Sequence, residues 1–391
     1  MNKKLNLNDY NALNHILLFN NMSRTLLASE LEISAPAVFK IIKKLVAKNL
    51  ILQEEEILPS NGGRPRRGLI INKDYKKILG ICLSEDFISL SIAYINGEVI
   101  ETRNRKRANN LLQARFIKML VEEIEYVLEK YGKENIGGIG ITMPGLVDSY
   151  NGIVKKSSIF KNCNINIAQY IEDSFEIPCV AENDIRAILK AESLFGSLKL
   201  IDNALLVYMH NGIGASLLIN KKIYSGQNFA AGQLGKIFND NNSTLGSYCK
   251  NSNIIEKFSG HEEIDIDKLD INEVLSKADK NMSPYKEVMD KVCEQIGFSL
   301  SNVIRILDIG KIVLAGDVFV NYPFMKDAIT KYVKGNIDKE IFENTTIENS
   351  LLPTNIEALG ALAIVIGNLF DGKKLISWGA VKLHPLFLFL L

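Results

Sequence analysis

SRTLLASELEISAPAVFKIIKKLVAKNL, residues Ser23–Leu50, reads as two short helices joined by a tight turn, the second with a basic face. Ser23 is placed to cap the first helix, because a serine hydroxyl accepts a backbone N–H that the first turn leaves unpaired. Ser34 stands in the same relation to the second. Pro36 then falls in the first helical turn, where its missing N–H costs nothing. Ile33 and Val38 have the spacing of a hydrophobic staple, which fixes the angle at which the chain enters the helix. Val38, Ile41, Ile42 and Leu45 share one stripe at helical spacing, and Lys40, Lys43, Lys44 and Lys48 fall off it. A helix packed by one face and cationic on the other suits the DNA major groove. It also describes any soluble amphipathic helix, so the neighbouring sequence decides.

On the C-terminal side, Asn49–Gln53 and Glu56–Leu58 read as two short strands, followed by NGGRPRRG at Asn61–Gly68. Arg64, Arg66 and Arg67 lie on a backbone turned by glycine and proline. Such a loop resembles the wing of a winged helix, whose arginines reach phosphates or a narrow minor groove. On the N-terminal side, Asn8–Phe19 carries Leu13, Ile16, Leu17 and Leu18 in a third helical pattern. Helix, turn, basic helix, hairpin and basic wing, in that order, imply DNA binding.

Charge distribution agrees. The 391 residues carry a formal net charge of +1, 47% hydrophobic and 23% charged residues, an ordinary globular composition. Residues 1–77 hold 13 Lys/Arg against 7 Asp/Glu, whereas the remaining 314 hold 33 against 38. A near-neutral total therefore hides a basic head on a mildly acidic body, as expected if only the head meets nucleic acid. The five cysteines (Cys82, Cys163, Cys179, Cys249, Cys293) are scattered and odd in number. No apolar signal segment opens the chain and no apolar run is long enough to span a bilayer, so a reducing cytoplasm is expected. The terminal PLFLFLL at Pro385–Leu391 is too short to cross a membrane.

From Lys77 onward, strand patterns alternate with helical ones, which argues an α/β body. Strands are expected at 78–84 and 87–95 about the Asn96-Gly97 turn, and at 136–142, 178–181, 204–208, 215–219 and 311–314. Helices are expected at 111–131, 167–175, 184–195, 286–307, 324–333 and 357–369.

The motifs in this body carry a family resemblance: GIGITMPGLVD at Gly138–Asp148, AENDIRA at Ala181–Ala187, NGIGASLLINKKIYSG at Asn211–Gly226, AAGQLGK at Ala230–Lys236, KIVLAGDV at Lys311–Val318 and ALGALAI at Ala358–Ile364. With GGRP at Gly62–Pro65, their order and spacing resemble the ROK family of repressors, open reading frames and sugar kinases, from about Asp9 to Phe370. The resemblance implies a winged helix-turn-helix domain over residues 1–72. It implies a two-lobed, actin-like (ribonuclease-H-like) sugar-kinase-type α/β body over 73–372, with 373–391 a tail beyond the resemblance.

The resemblance also shows where this chain departs from a kinase. Such an enzyme needs an aspartate and two glycines after its first body strand, so that backbone N–H groups and magnesium hold ATP. Here Cys82 stands for the aspartate, and Ser84 and Glu85 for the glycines. In the second phosphate loop Gly212 and Gly214 remain, but His210 and Asn211 replace a Gly-Thr pair. No kinase activity, catalytic residue or cofactor is expected. Asp184 matches the catalytic base and Asn183 a sugar-hydroxyl contact; Asp184 equally reads as a helix cap. Gln233 and Lys236 replace a glutamate and a histidine assigned to sugar hydroxyls, and Glu256 keeps a carboxylate. A lysine there favours an anionic sugar, or bridges to Glu256 or Asp184 and closes the pocket. The family's four zinc ligands correspond to Lys236, Ser247, Cys249 and Ile254, so no metal is expected.

The reading is a transcriptional regulator, a repressor of carbohydrate genes with a sugar or sugar derivative as ligand. It binds double-stranded DNA at a palindromic operator as a homodimer or homotetramer, without a membrane partner. Ser34, Ala35, Ala37, Phe39, Lys40, Lys43 and Lys44 would face the major groove, and Arg64, Arg66 and Arg67 the wing-side backbone. Asn183, Asp184, Gln233, Lys236 and Glu256 would meet the ligand. A constitutive DNA-binding protein with a vestigial pocket and a sugar kinase with a DNA-binding head are the competing readings.

Overall fold

A computed structural model describes residues 5–19, 21–58, 66–106, 113–160, 164–239, 243–353 and 355–371, with the backbone alone at 55–58, 66–67, 113–114 and 371. Arg64, the rest of GGRP, Cys163 and the 373–391 tail lie outside the described residues.

The head comprises α1 (Leu7–Phe19), β1 (Met22–Ser23), α2 (Arg24–Glu30), α3 (Ala35–Ala47), β2 (Ile51–Leu58) and β3 (Arg66–Ile71). The strands form a sheet of order β1-β3-β2, all antiparallel. Ser23 caps α2 as expected, its hydroxyl accepting the Leu26 N–H at 3.1 Å. Two expectations are corrected. Residues 51–58 form one strand, irregular between Glu54 and Leu58, and Arg66–Gly68 belongs to its partner strand. Glycine and arginine made that segment look like loop, but pairing with β2 extends it.

The body contains β4 (Lys77–Leu83), β5 (Phe87–Tyr94), β6 (Val99–Lys106), α4 (Gln113–Tyr131), β7 (Ile136–Met143), β8 (Leu146–Asp148), β9 (Ile153–Lys156), β10 (Ile165–Asn166), α5 (Ile167–Phe175), β11 (Cys179–Asn183) and α6 (Asp184–Phe195). There follow β12 (Ala204–Met209), β13 (Ile213–Ile219), β14 (Lys222–Tyr224), α7 (Leu245–Tyr248), α8 (Asn251–Glu256), α9 (Ile271–Asp279) and α10 (Tyr285–Leu307). The chain ends its described part with β15 (Lys311–Ala315), α11 (Asp317–Asn321), α12 (Phe324–Asn336), α13 (Lys339–Glu343), β16 (Thr346–Asn349) and α14 (Ile356–Asp371). The last three residues of the MPGLVD motif make β8.

Two compact units result. One runs to Leu194 and resumes at Glu357; the other is Phe195–Ile356. In the first, the main sheet has the order β11-β7-β4-β5-β6, with β4, β5 and β6 antiparallel and β4, β7 and β11 parallel. In the second, the order is β14-β13-β12-β15-β16, again three antiparallel strands followed by two parallel ones. The same strand order therefore occurs twice, which is the duplicated ribonuclease-H-like plan. In the first unit Leu79, Ile81 and Leu90 of the sheet share a buried cluster with Phe116 and Leu120 of α4 and Ile167 of α5. In the second, Val207 and Leu314 cluster with Met289 and Ile296 of α10 and Ile329 of α12. Among the described residues no helix is long and apolar enough to cross a membrane.

Candidate functional site

In the head, Val38, Ile41, Ile42 and Leu45 are buried, so α3 turns its other side outward. Ala35, Phe39, Lys40 and Lys43 are exposed there. Ala37 is half-buried, contrary to expectation. Ser34 holds the N-cap position without a side-chain capping bond. The reason is local: Pro36 has no N–H, and the Ala37 N–H is taken by the Ser34 carbonyl at 2.9 Å. Lys44 is the larger correction. Its ammonium pairs with Asp9 of α1, whose side chain is 2% exposed. Asp9 also accepts the Asn6 N–H at 2.7 Å, while its own N–H donates to Asn6 Oδ1 at 3.0 Å. Lys44 thus fastens α3 to the capped start of α1.

Sequence reasoning missed Arg24. It opens α2, where a cation opposes the helix dipole, and that misfit was the available signal. Its Nη2 donates to Gln53 Oε1 of β2 at 2.5 Å, and its guanidinium carbon lies 5.7 Å from the Phe39 ring centroid. Three elements thereby converge on one exposed cation beside the outer face of α3. Arg66 and Arg67 lie on β3 with their side chains outside the described residues.

In the first body unit the end of β11 and the start of α6 place Asn183 and Asp184. Asn183 is the working cap: its Oδ1 accepts the Arg186 N–H at 3.1 Å. Its Nδ2 donates to the Gly145 carbonyl at 3.1 Å and to Asp184 Oδ1 at 2.8 Å. Asp184 is half-buried, and burial, reinforced by the Glu357 carboxylate, pushes its carboxyl up to about 6. Beneath it, Glu182 and Arg186 form a buried ion pair at 2.7 Å, and Arg186 also donates to the Val147 carbonyl at 2.6 Å. That fork ties ENDIRA to MPGLVD.

Cys82 is buried, and desolvation pushes its thiol up to about 12, so it stays neutral. The β4–β5 turn is closed by Ser84, whose hydroxyl accepts the N–H groups of Asp86 at 3.2 Å and Phe87 at 3.0 Å. Both donors are spent within the turn. At the equivalent hairpin of the second unit, the His210 N–H donates to the Gly212 carbonyl at 3.1 Å. His210 Nδ1 lies 3.1 Å from Asp317 Oδ1, and this contact holds the Asp317 carboxyl below its usual range. Gly316, just before it, has φ +101°, and a Cβ there would meet the Met209 carbonyl at 2.2 Å.

Lys236 ends the 3-10 turn Leu234–Lys236 and Gln233 is its N-cap residue; both are exposed. Among the described residues no ion pair joins Lys236 to Glu256. Glu256 instead lines a cleft of about 280 Å³ with Ser243, Ser247, Tyr248, Asn253 and Lys257. Neither Gln233 nor Lys236 lines it. Lys257, also missed from sequence, sits 3.8 Å from the Tyr248 ring centroid, and burial lowers its pKa. Asn253 clips the adjoining loop by donating to the Ser247 carbonyl at 2.9 Å and its hydroxyl at 3.2 Å. Of the positions matching zinc ligands, Cys249 and Ile254 are fully buried in the core, and desolvation pushes the Cys249 thiol up to about 12.

Among known proteins, the sequence model of the ROK family matches residues 79–368. The chain belongs to the ROK family. It is 24% identical over 372 residues to the xylose repressor of Bacillus spizizenii, covering 93% of this chain and 96% of that one. It is 23% identical to the DNA-binding transcriptional dual regulator NagC of Escherichia coli, with 90% of each covered. Among solved structures, a ROK family transcriptional regulator described as a homologue of the E. coli MLC protein superposes with TM-score 0.81 at 21% identity, covering 94% of this chain and 97% of that one. A putative sugar kinase from Cytophaga hutchinsonii gives 0.66 at 20% identity, covering 74% of this chain and 99% of its own. A winged helix-turn-helix on an actin-like body is the fold of this ROK protein.

Proposed function

We propose that this ROK protein is a sequence-specific DNA-binding regulator, a repressor of carbohydrate-metabolism genes whose operator affinity is set by a sugar-like ligand. The observation that carries this is the outer face of α3, where Phe39, Lys40 and Lys43 are exposed beside Arg24. Similarity over 90% or more of the chain to proteins named as a xylose repressor and a DNA-binding transcriptional dual regulator supports it. The head corresponds to residues 1–72 and the ligand-binding body to 73–372. Arg24 and Lys43 contact phosphates, Phe39 reaches thymine methyls, and Arg64, Arg66 and Arg67 track the wing-side backbone. Two heads of a homodimer or homotetramer read a palindromic operator in the cytoplasm.

The ligand side rests on Asn183 and Asp184 in one unit, and on Gln233, Lys236 and Glu256 in the other. Phosphoryl transfer is not part of the reading: Cys82 is a neutral thiol, the Ser84 turn has spent its donors, and His210 of the second hairpin holds the Asp317 carboxylate of α11 beside it. A carboxylate there repels phosphate.

The test has two arms. The protein is challenged with a random DNA duplex library, and its melting temperature is followed with neutral, amino, acidic and phosphorylated sugars and with magnesium-ATP. Enrichment of an inverted repeat with a shift from one sugar class supports the proposal. At a hundred times its dissociation constant a ligand adds about 2.7 kcal/mol, a visible shift. Failure to enrich any duplex sinks the regulator, and a shift with magnesium-ATP reopens the kinase. Enrichment with silence from every sugar favours a constitutive DNA-binding protein, which the absence of Gln233 and Lys236 from the Glu256 cleft makes the second reading.

A further inference from the structure

The last described helix touches both functional regions of the first unit. Its second residue, Glu357, is half-buried within electrostatic reach of Asp184 and Cys82. Its penultimate residue, Phe370, is buried, and the Phe370 carbonyl accepts a hydrogen bond from Asn14 Nδ2 of α1 at 3.4 Å. Thirteen residue rises of helix separate the two, about 20 Å at 1.5 Å per rise.

Between those ends α14 is held by backbone contact and not by side chains alone. A Cβ on Gly80 of β4 would lie 2.9 Å from the Leu362 nitrogen. One on Gly140 of β7 would lie 2.3 Å from the Ala361 carbonyl oxygen, and one on Gly360 would lie 3.0 Å from the Ala187 carbonyl carbon and Ile188 nitrogen of α6. Asp184 is the first residue of that same α6. A helix gripped at backbone distance on two sides has no soft layer to absorb a displacement, because packed interiors transmit strain. The receiving element is equally defined: α1 carries Asn14, and five residues earlier Asp9, which holds Lys44 of α3.

We propose that α14 is the coupling element of this regulator: occupancy beside Asp184 and Glu357 is relayed through α14 to Asn14, and through α1 to the DNA-facing helix α3. The inference rests on the ligand-controlled DNA-binding reading. It assigns Glu357 and Asn14 as positioning residues that act through α14. It also differs from relay through the covalent link at 72–77, which would bypass both residues.

A double-mutant cycle tests it. Glu357→Gln, Asn14→Ala and the double variant are titrated against a duplex selected by the wild-type protein from a random library. Coupling predicts that the double variant departs at least fivefold from the product of the single effects, the lower end of allosteric couplings. Agreement with that product within twofold overturns the proposal. A wild type that selects no duplex sinks the DNA-binding reading instead, so the two failures are separable. Hydrogen exchange of Asp184→Asn, which needs neither DNA nor a ligand, gives an independent check. Altered protection in α14 and α1 is expected; a change confined to β11 and α6 overturns the relay.

Discussion

The head and the body each bury a carboxylate against a cation, and the two pairs differ in what surrounds them. Asp9 faces Lys44, whose side chain remains 22% exposed; Glu182 faces Arg186, which is 2% exposed. An ammonium on a flexible stem keeps part of its hydration, whereas a guanidinium fork can satisfy a carboxylate and a carbonyl in fixed directions. The head therefore fastens its recognition helix with a partly screened pair. The body fastens Asn183 and Asp184 with a pair that cannot be broken without stranding a charge. Burial dominates there so strongly that the Glu182 carboxyl is raised despite its arginine, as expected where desolvation rivals attraction. The head presents Phe39, Lys40 and Lys43 on its surface, whereas the body holds Asn183 and Asp184 against a buried ion pair.

The largest effect that would sharpen this contrast is Arg186→Met. It leaves Glu182 buried without its cation and should cost about 3–5 kcal/mol in urea unfolding. The double variant with Glu182→Gln should recover part of the loss. A cost below about 1 kcal/mol would mean that the body pair is no tighter than a surface one. Asp184→Asn comes next and has the opposite sign. Its carboxyl is raised from 3.8 to about 6 in the folded chain, so the proton is bound more tightly when folded. The stability this confers is complete below about pH 4 and is lost as pH rises through 6. The asparagine variant should therefore be more stable than wild type at pH 8, by about 2 kcal/mol at 1.36 kcal/mol per pH unit with some discount for partial exposure. The gain should vanish by pH 4. A pH-independent difference would refute the assignment.

How much of this was legible beforehand follows from where each interaction originates. Helices α5 and α6 were expected at their observed limits because their apolar stripes are local and strong, and the start of α3 because Ser34 and Pro36 mark it in the sequence. The polar pairs were not legible. Lys44 looked like its neighbours Lys40 and Lys43 because its partner is thirty-five residues away on α1. Arg66 and Arg67 looked like loop because only the β2 ladder makes them strand. Ser34 looked like a cap because composition shows the hydroxyl but not that its own carbonyl already holds the Ala37 N–H. In the body, the motif marked Asn183 and Asp184, but could not show that the two share the first turn of α6, Asn183 accepting the Arg186 N–H and Asp184 the Ile185 N–H.

The lysines of α3 give the smallest effects and the cleanest division. Lys44→Ala removes the cation from a carboxylate that is 2% exposed, and should destabilise the fold by about 1–2 kcal/mol, the usual cost of an abandoned buried partner. Lys40→Ala and Lys43→Ala remove exposed charges and should leave the melting temperature unchanged. Their effect belongs in the salt dependence of DNA binding. Removing one cation that neutralises a phosphate should lower the slope of log K against log salt by about 0.9, whatever the duplex sequence. Arg24→Ala should do the same if its guanidinium meets phosphate, and should relax sequence preference as well if it reads a base edge from beside Phe39. The informative result is the joint one. If Lys44→Ala also lowered the slope by about 0.9 while leaving stability intact, Asp9 would be an incidental neighbour and Lys44 would return to the DNA face. If it lowers stability and leaves the slope alone, the head and the body follow one rule: a buried carboxylate positions the element, and the residues it leaves exposed do the reading.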